Sequence, residues 1–294
     1  MDAVVAELVC YPVKSCAGVP VASARVLPTG LEHDRRFVIV DAASGTFLSQ
    51  RTYPAMACIQ PEVIPCGPGV TGLTGLTLSA PGHEPVTVDV DPEGPRRAVT
   101  VHSWEGIGVD QGDSVAAWLG DVLGTPVRLV AAPADIRRHR AGRYGSWSHF
   151  ADAYPVLVAS QASLDELIAR LGERGGEPVP MTRFRPNIVV SGWAAPHLED
   201  RVDRLAIGGN GGAELGFERE CVRCTIPLVD QDTGRKAGPE PIRTLATYRR
   251  AADGGVTFAA NYAVLAPGEV ALGDSVTVRS WLPEGDRGKA VRPS

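Results

Sequence analysis

Arg36-Phe37-Val38-Ile39-Val40-Asp41-Ala42-Ala43-Ser44-Gly45-Thr46-Phe47-Leu48-Ser49-Gln50 is two apolar runs around a four-residue turn. Val, Ile and Phe suit a pleated, half-buried surface, and the Ser-Gly pair supplies the turn. The stretch therefore predicts a hairpin, with arms Arg36–Asp41 and Thr46–Gln50. Outward from it the pattern repeats. Val4–Tyr11, Val21–Leu27, Ala57–Ile64, Leu76–Ala80, Val86–Val90 and Val99–His102 are short β-rich runs divided by Gly and Pro. Many short strands at short spacing predict a barrel or sandwich. One helix follows, with Asp113 as N-cap, Val115, Trp118, Leu119, Val122 and Leu123 on one face, and Gly124 as its stop. Val127–Val130 returns to strand.

Residues 134–148 are basic and irregular, with Arg137, Arg138, His139, Arg140 and Arg143. They predict a solvated linker or exposed loop or, on a sharper reading, a rim that attracts an anionic ligand or an acidic redox partner, and the shift in composition there sets a domain boundary. A mainly β module spans 1–133, an α+β module 134–282, and a Gly-, Pro- and charge-rich disordered tail 283–294. The second module reads as strand Pro155–Ala159, then a helix over Ser160–Gly172 with a Ser163/Glu166 capping box. Strands Phe184–Ser191, Val202–Ile207 and Ala213–Phe217 come next, the last two joined by the glycine-rich turn 208–212. Helix Ile242–Arg250 and strands Phe258–Val264 and Ser275–Ser280 complete it. The fold class is α+β, mainly β.

The net charge of −5 over 294 residues argues against a nucleic-acid protein held by bulk electrostatics. Six cysteines (Cys10, Cys16, Cys58, Cys66, Cys221, Cys224) are too sparse for a disulfide scaffold. Residues 1–7 lack the basic and apolar regions of a signal peptide, and no apolar run approaches the ~18 residues of a membrane span. The expectation is a soluble cytoplasmic protein with no nucleic-acid or membrane partner, which meets any electron-transfer partner by diffusion.

Chemistry concentrates in Glu220-Cys221-Val222-Arg223-Cys224-Thr225-Ile226-Pro227-Leu228-Val229-Asp230-Gln231-Asp232-Thr233-Gly234. A zinc half-site would need a second closely spaced cysteine pair, which is lacking. A dithiol redox couple would need a helix after the second cysteine, which Pro227 and the β-branched neighbours oppose. A single thiolate ligand, or buried inert thiols, remain open. Arg223 beside the sulfur favours a thiolate. Lys14-Ser15 after the first strand, Asp34-Arg35 before the third, and Arg185-Pro186-Asn187 in the second module are strand-end clusters. Together they suit an anionic, heteroaromatic ligand, and singly they suit solvent. The six histidines show no metal-binding spacing, and the glycine run 208–212 lacks a dinucleotide-binding context.

Four motifs in this order resemble the MOSC family (molybdenum cofactor sulfurase C-terminal domain) with its N-terminal β-barrel partner. They are Tyr11-Pro12-Val13-Lys14-Ser15-Cys16-x-Gly18, Asp34-Arg35, Phe184-Arg185-Pro186-Asn187-Ile188-Val189, and Cys221-x-Arg223-Cys224 with Val229-Asp230-x-Asp232-Thr233-Gly234. The resemblance is closest to the mitochondrial amidoxime-reducing components and their bacterial relatives. It implies a β-barrel N-terminal module packed on a barrel-like second domain, with a molybdopterin molybdenum cofactor between them. Cys224 would ligate molybdenum. Lys14, Ser15, Arg35, Arg185, Asn187 and Arg223 would contact pterin and phosphate, with Arg51 and Asp152 as weaker carry-overs. Asp230 is the candidate acid by proximity. The implied activity is reduction of N-hydroxylated small molecules, with electrons from a separate reductase, ferredoxin or cytochrome-type protein. The alternative is a sulfur-carrying or cofactor-handling protein that uses a Cys224 persulfide. Pro227, Leu228 and Gln231 depart from the family pattern.

Overall fold

The computed structural model describes residues 2–66, 72–136, 138–251 and 254–283. Arg137 and the expected tail beyond residue 283 lie outside the described residues. The chain is mainly β, with short helices, and among the described residues its strands divide over six sheets.

The largest sheet has eight strands. In spatial order they are Val19–Pro20, Val4–Cys10, Ile188–Ser191, Val156–Ser160, Thr257–Ala266, Ala213–Val222, Val202–Ile207 and Val276–Trp281. Within it Val156–Ser160 and Ile188–Ser191 run parallel, with Val158 opposite Ile188. Helix Gln161–Glu173 and the segment after it make that crossover. The N-terminal module holds a four-stranded sheet, in the order Phe37–Asp41, Val127–Ala131, Trp104–Asp110, Arg96–Val101. It also holds a three-stranded meander, Gln60–Pro65, Leu73–Ala80, His83–Asp89.

Strands of residues 1–133 also pair with strands of the second module. Strand Val4–Cys10 pairs antiparallel with Ile188–Ser191, and Ser23–Leu27 pairs with Gly268–Ala271. Val5, Leu8, Val26 and Leu31 accordingly share a core with Val156, Val190, Leu205 and Tyr262. The core of the first module starts at Val13 and gathers Phe37, Ile39, Met56, Leu76, Leu119 and Leu129. Pairing partners some 180 residues away outweigh sequence neighbourhood here.

Local differences have local causes. The turn at 41–45 forms, with Asp41 Oδ1 accepting from the N–H groups of Ala43 and Ser44 at 3.1 and 2.7 Å. Thr46–Gln50 is no ladder strand, however. It pairs back only through Thr46–Leu48, where Phe47 bridges Val40, Asp41 N donates to the Thr46 carbonyl at 2.9 Å and Leu48 N to the Ile39 carbonyl at 2.8 Å; Phe47 N also donates to the Thr100 carbonyl, and Phe37–Asp41 pairs along its length with Val127–Ala131. The helix cap is Ser160 rather than Ser163: its Oγ accepts from Ser163 N at 3.2 Å. Glu166 is drawn away to Arg170 and His197. Pro54–Cys58 is a 3₁₀ turn where the sequence reads strand from Ala57, and the helix after Pro241 stops at Leu245. Trp104–Asp110 forms a strand despite Gly106 and Gly108, which its pattern hides.

Candidate active site

Several strand ends meet on one face of this arrangement. Lys14 and Ser15 follow Val4–Cys10, Arg35 precedes Phe37–Asp41, and Asp152 precedes Val156–Ser160. Arg185 and Asn187 precede Ile188–Ser191, and Arg223 and Cys224 follow Ala213–Val222. Together with Arg51 they line a single cavity of about 470 Å³. Nine of the ten residues singled out in the sequence are thus brought together, from both modules.

The tenth is not. Asp230 Oδ1 accepts from Thr233 N and Oγ1, both at 2.8 Å, and from Asp232 N, while Oδ2 faces Arg183 at 3.4 Å. Hydrogen bonds from Thr233 hold its carboxyl below the usual range, so it stays ionised as the lock of its own turn. The candidate acid is a turn former.

The cavity is strongly cationic. Lys14, Arg35, Arg51, Arg140, Arg185, Arg219 and Arg223 line it against one carboxylate, Asp152, in a chain whose net charge is −5. Charge of one sign in a concave, low-dielectric wall focuses potential on an anion. The backbone is held in costly conformations there. Of the seven described non-glycine residues with positive φ, four line this cavity: Ser15 (68°), Arg35 (45°), His102 (55°) and Arg185 (58°). Each costs about 1–2 kcal/mol, and such strain gathers at ligand sites.

Buried polar groups fix the cations. Asp34, 2% exposed, receives Tyr11 N at 2.9 Å, Arg35 NH1 at 2.6 and 2.8 Å, and Asn187 Nδ2 at 2.9 Å. Burial raises its carboxyl, and the Arg35 charge acts against that rise. The guanidiniums of Arg35 and Arg185 both lie over the Tyr11 ring, at 4.2 and 4.3 Å. Burial pushes the Tyr11 hydroxyl up to about 12, so it remains a neutral platform. Asn187 spends its amide on the protein: Nδ2 also donates to the Val9 carbonyl and Oδ1 accepts from Leu157 N at 3.1 Å. It is a staple between strands rather than a free donor and acceptor. Behind Ser15, Gln231 Nε2 donates to Gln50 Oε1 at 2.9 Å and Gln50 Nε2 to the Ser15 carbonyl at 2.8 Å.

Lys14 is buried and donates to the Phe150 carbonyl at 2.8 Å and to Asp152. Burial lowers its ammonium to about 8. Desolvation opposes ionisation of Asp152, but Lys14 and His102 hold its carboxyl well below the usual range. His102 Nε2 reaches Asp152 Oδ1 at 2.9 Å. Arg223 donates to the Phe184 carbonyl at 2.9 Å and to Cys221 Sγ at 3.0 Å, so its nearest sulfur is Cys221 rather than Cys224. The Nε atoms of Arg51 and Arg223 are shielded from solvent and have no acceptor.

Sequence reasoning missed His102, Arg219 and the hub role of Asp34. Of these only Asp34 carried a local signal, an acid directly before a strand-end arginine. His102 meets its partner Asp152 across 50 residues, a distance no spacing rule reaches.

Fold and cavity define a two-module β protein with a thiol-bearing, cationic cleft between the modules. The MOSC N-terminal beta barrel domain matches residues 2–126 and the MOSC domain residues 145–277, and the chain belongs to the MOSC family. It is 34% identical to the mitochondrial amidoxime-reducing component 1 of Homo sapiens, over 92% of this chain and 82% of that protein. It is 32% identical to the molybdenum cofactor sulfurase of Danio rerio, over 86% of this chain but 31% of that one. The crystal structure of the YUAD protein from Bacillus subtilis aligns over 94% of each chain, at 12% identity and a TM-score of 0.39.

Proposed function

We propose that this chain binds a molybdenum cofactor in the cationic cavity and acts as an oxidoreductase on N-hydroxylated small molecules. The carrying observation is the convergence of Cys224 with Lys14, Ser15, Arg35, Arg51, Asp152, Arg185, Asn187 and Arg223 on one space. The residues present fit such a group. Arginines and a lysine suit its phosphate, and the unpartnered Nε atoms of Arg51 and Arg223 want an acceptor. Among the described residues no group of three or more His, Cys, Asp or Glu is placed to hold a bare ion. The chain would therefore bring one sulfur, from Cys224, and the cofactor the remaining ligands.

When bound, the cofactor would supply a two-electron centre for cleavage of an N–O bond. The net change is R–NHOH plus two electrons and two protons to R–NH2 and water, with electrons from a separate donor protein of reductase, ferredoxin or cytochrome type. The names of the relatives support this reading, as the human relative is called an amidoxime-reducing component. In this reading Arg35 and Arg185, locked on Tyr11, orient the anionic end of the cofactor. Asp152 keeps Lys14 from leaving the wall.

Metal analysis of protein expressed in a cofactor-competent host tests it. Near-stoichiometric molybdenum with a pterin is expected, and its absence sinks the enzyme reading. A Cys224→Ser variant that keeps full N-reductive activity would remove Cys224 from the mechanism. The likeness to a molybdenum cofactor sulfurase favours a second reading, in which Cys224 carries a persulfide. That reading predicts a 32-Da mass increment on Cys224, about one sulfur atom, in metal-free protein.

A further inference from the structure

A second cavity, of about 370 Å³, lies on the far side of the Arg35-Arg36 and Ser148–Asp152 segments from the first. Its walls include Pro28, Arg36, Pro133, Ile136, Trp147 and His149. Arg36 is held in place by its backbone, since Arg36 N donates to the His33 carbonyl and the Arg36 carbonyl accepts from Ala132 N at 2.8 Å. Its guanidinium is half-buried, and Nε is shielded from solvent without an acceptor. Several buried or half-buried arginines face an acid: Arg35 has Asp34, Arg97 and Arg128 share Asp110, Arg183 has Asp230 and Arg249 has Asp200, whereas among the described residues Arg36 stands with Arg51, Arg138, Arg185 and Arg223, which do not. Arg36 has no such ion pair among the described residues. Burial lowers its charged state, and no neighbouring carboxylate acts to restore it.

His149 lies beside it with its N–H on the Asp34 carbonyl, so its other nitrogen is an acceptor. Its Nδ1 is shielded from solvent and has no partner. Burial first, then the Arg36 charge, depresses the imidazole to about 4, so it stands neutral beside the cation. The rest of the wall is mostly apolar, with Pro28, Pro133, Ala134, Ile136 and Trp147 beside Thr29 and Ser148. Trp147 is 44% exposed although its neighbours Ser146 and Ser148 are buried. An unpaired, partly desolvated cation is costly, and so is the orphaned Arg36 Nε donor. A ligand with an anionic oxygen would relieve both, and its flat body would cover the exposed indole.

We propose that this cavity is a binding site for a small aromatic carboxylate, with the carboxylate on Arg36 and the ring against Trp147. The proposal is independent of the molybdenum reading, because no residue of the second cavity lines the first.

Calorimetric titration with benzoate tests it, using benzamide as the neutral counterpart and inorganic phosphate as the anion without a ring. The expected result is saturable one-site benzoate binding, with benzamide and phosphate each at least about tenfold weaker. Arg36→Gln should weaken benzoate about tenfold or more, whereas Arg140→Gln, at the first cavity, should leave it unchanged. The indole N–H resonance of Trp147, assigned through Trp147→Phe, should shift on titration. No saturation up to about 10 mM benzoate, which corresponds to roughly −3 kcal/mol or weaker, overturns the proposal. So does equal affinity for benzamide, or loss of binding in Arg140→Gln with retention in Arg36→Gln. The benzoate–benzamide comparison uses the native sequence, so it decides the matter even if Arg36→Gln fails to fold.

Discussion

Replacing Lys14 with Met should stabilise the cofactor-free protein. The ammonium sits in the cavity wall 3% exposed, and burial takes its pKa from 10.5 to about 8 in spite of Asp152. That difference corresponds to about 3 kcal/mol of unfavourable free energy carried by the native state wherever lysine is charged in both states, that is, below about pH 8. Between about 8 and 10.5 the unfolded chain binds the proton more tightly than the native one, so stability rises with pH across that window. Met fills the same volume without the charge. It forfeits the bond to the Phe150 carbonyl, which costs about 1 kcal/mol. Asp152, with 53% of its side chain exposed and His102 still beside it, can take up water. The net expectation is a gain of about 2 kcal/mol at pH 7 that falls to zero between about pH 9 and 10 and turns into a small loss, under about 1 kcal/mol, by about pH 10.5. Urea unfolding of both proteins at pH 7, 9 and 10.5, compared at equal m-value, reads it directly. A Lys14→Met variant less stable than the parent at pH 7, or a difference that does not change with pH, would refute the reasoning. The same variant should load less cofactor, because the anion that justifies the buried charge loses its partner.

Asp34→Ala should cost about 3–5 kcal/mol in urea unfolding, since it strands the buried Arg35 charge and the donors of Tyr11 and Asn187; a loss below about 1 kcal/mol would show that the hub carries little. Asp230→Ala should keep molybdenum content and kcat/KM within about twofold of the parent, because its carboxylate is committed to the turn with Thr233. A fall of ~100-fold, the scale of a lost general acid, would return Asp230 to the chemistry.

How much of this was legible depends on what each signal encodes. Charged residues at strand ends announce themselves locally, so Lys14, Arg35, Arg185 and Cys224 can be picked out before their convergence is known. Asp230-x-Asp232-Thr233-Gly234 is equally local, but an acid before Thr-Gly is the pattern of a self-capping turn, and that physics won. The arm Thr46–Gln50 pairs back on Ile39–Asp41 through Thr46–Leu48, as its hairpin signal says, while the reach of Phe47 to Thr100 is a contact that only the fold supplies. The boundary near residue 133 follows composition, whereas the sheets follow pairing between ends of the chain. His102 with Asp152, and Gln50 with Gln231, are contacts that only the folded topology creates.

The placement of Val4–Cys10 against Ile188–Ser191 also has a consequence during synthesis. At about 5–20 residues per second, the ribosome needs roughly 10–40 s to deliver residue 188 after residue 4. Through that interval the first strand waits without its partner, and such long-range closure is slow to form in any case. Lys14 and Arg35 are made early, but the cavity that contains them exists only after Cys224 has emerged. Any cofactor would therefore enter a completed chain, and nascent chains arrested before residue 188 would present an unpaired apolar strand to chaperones.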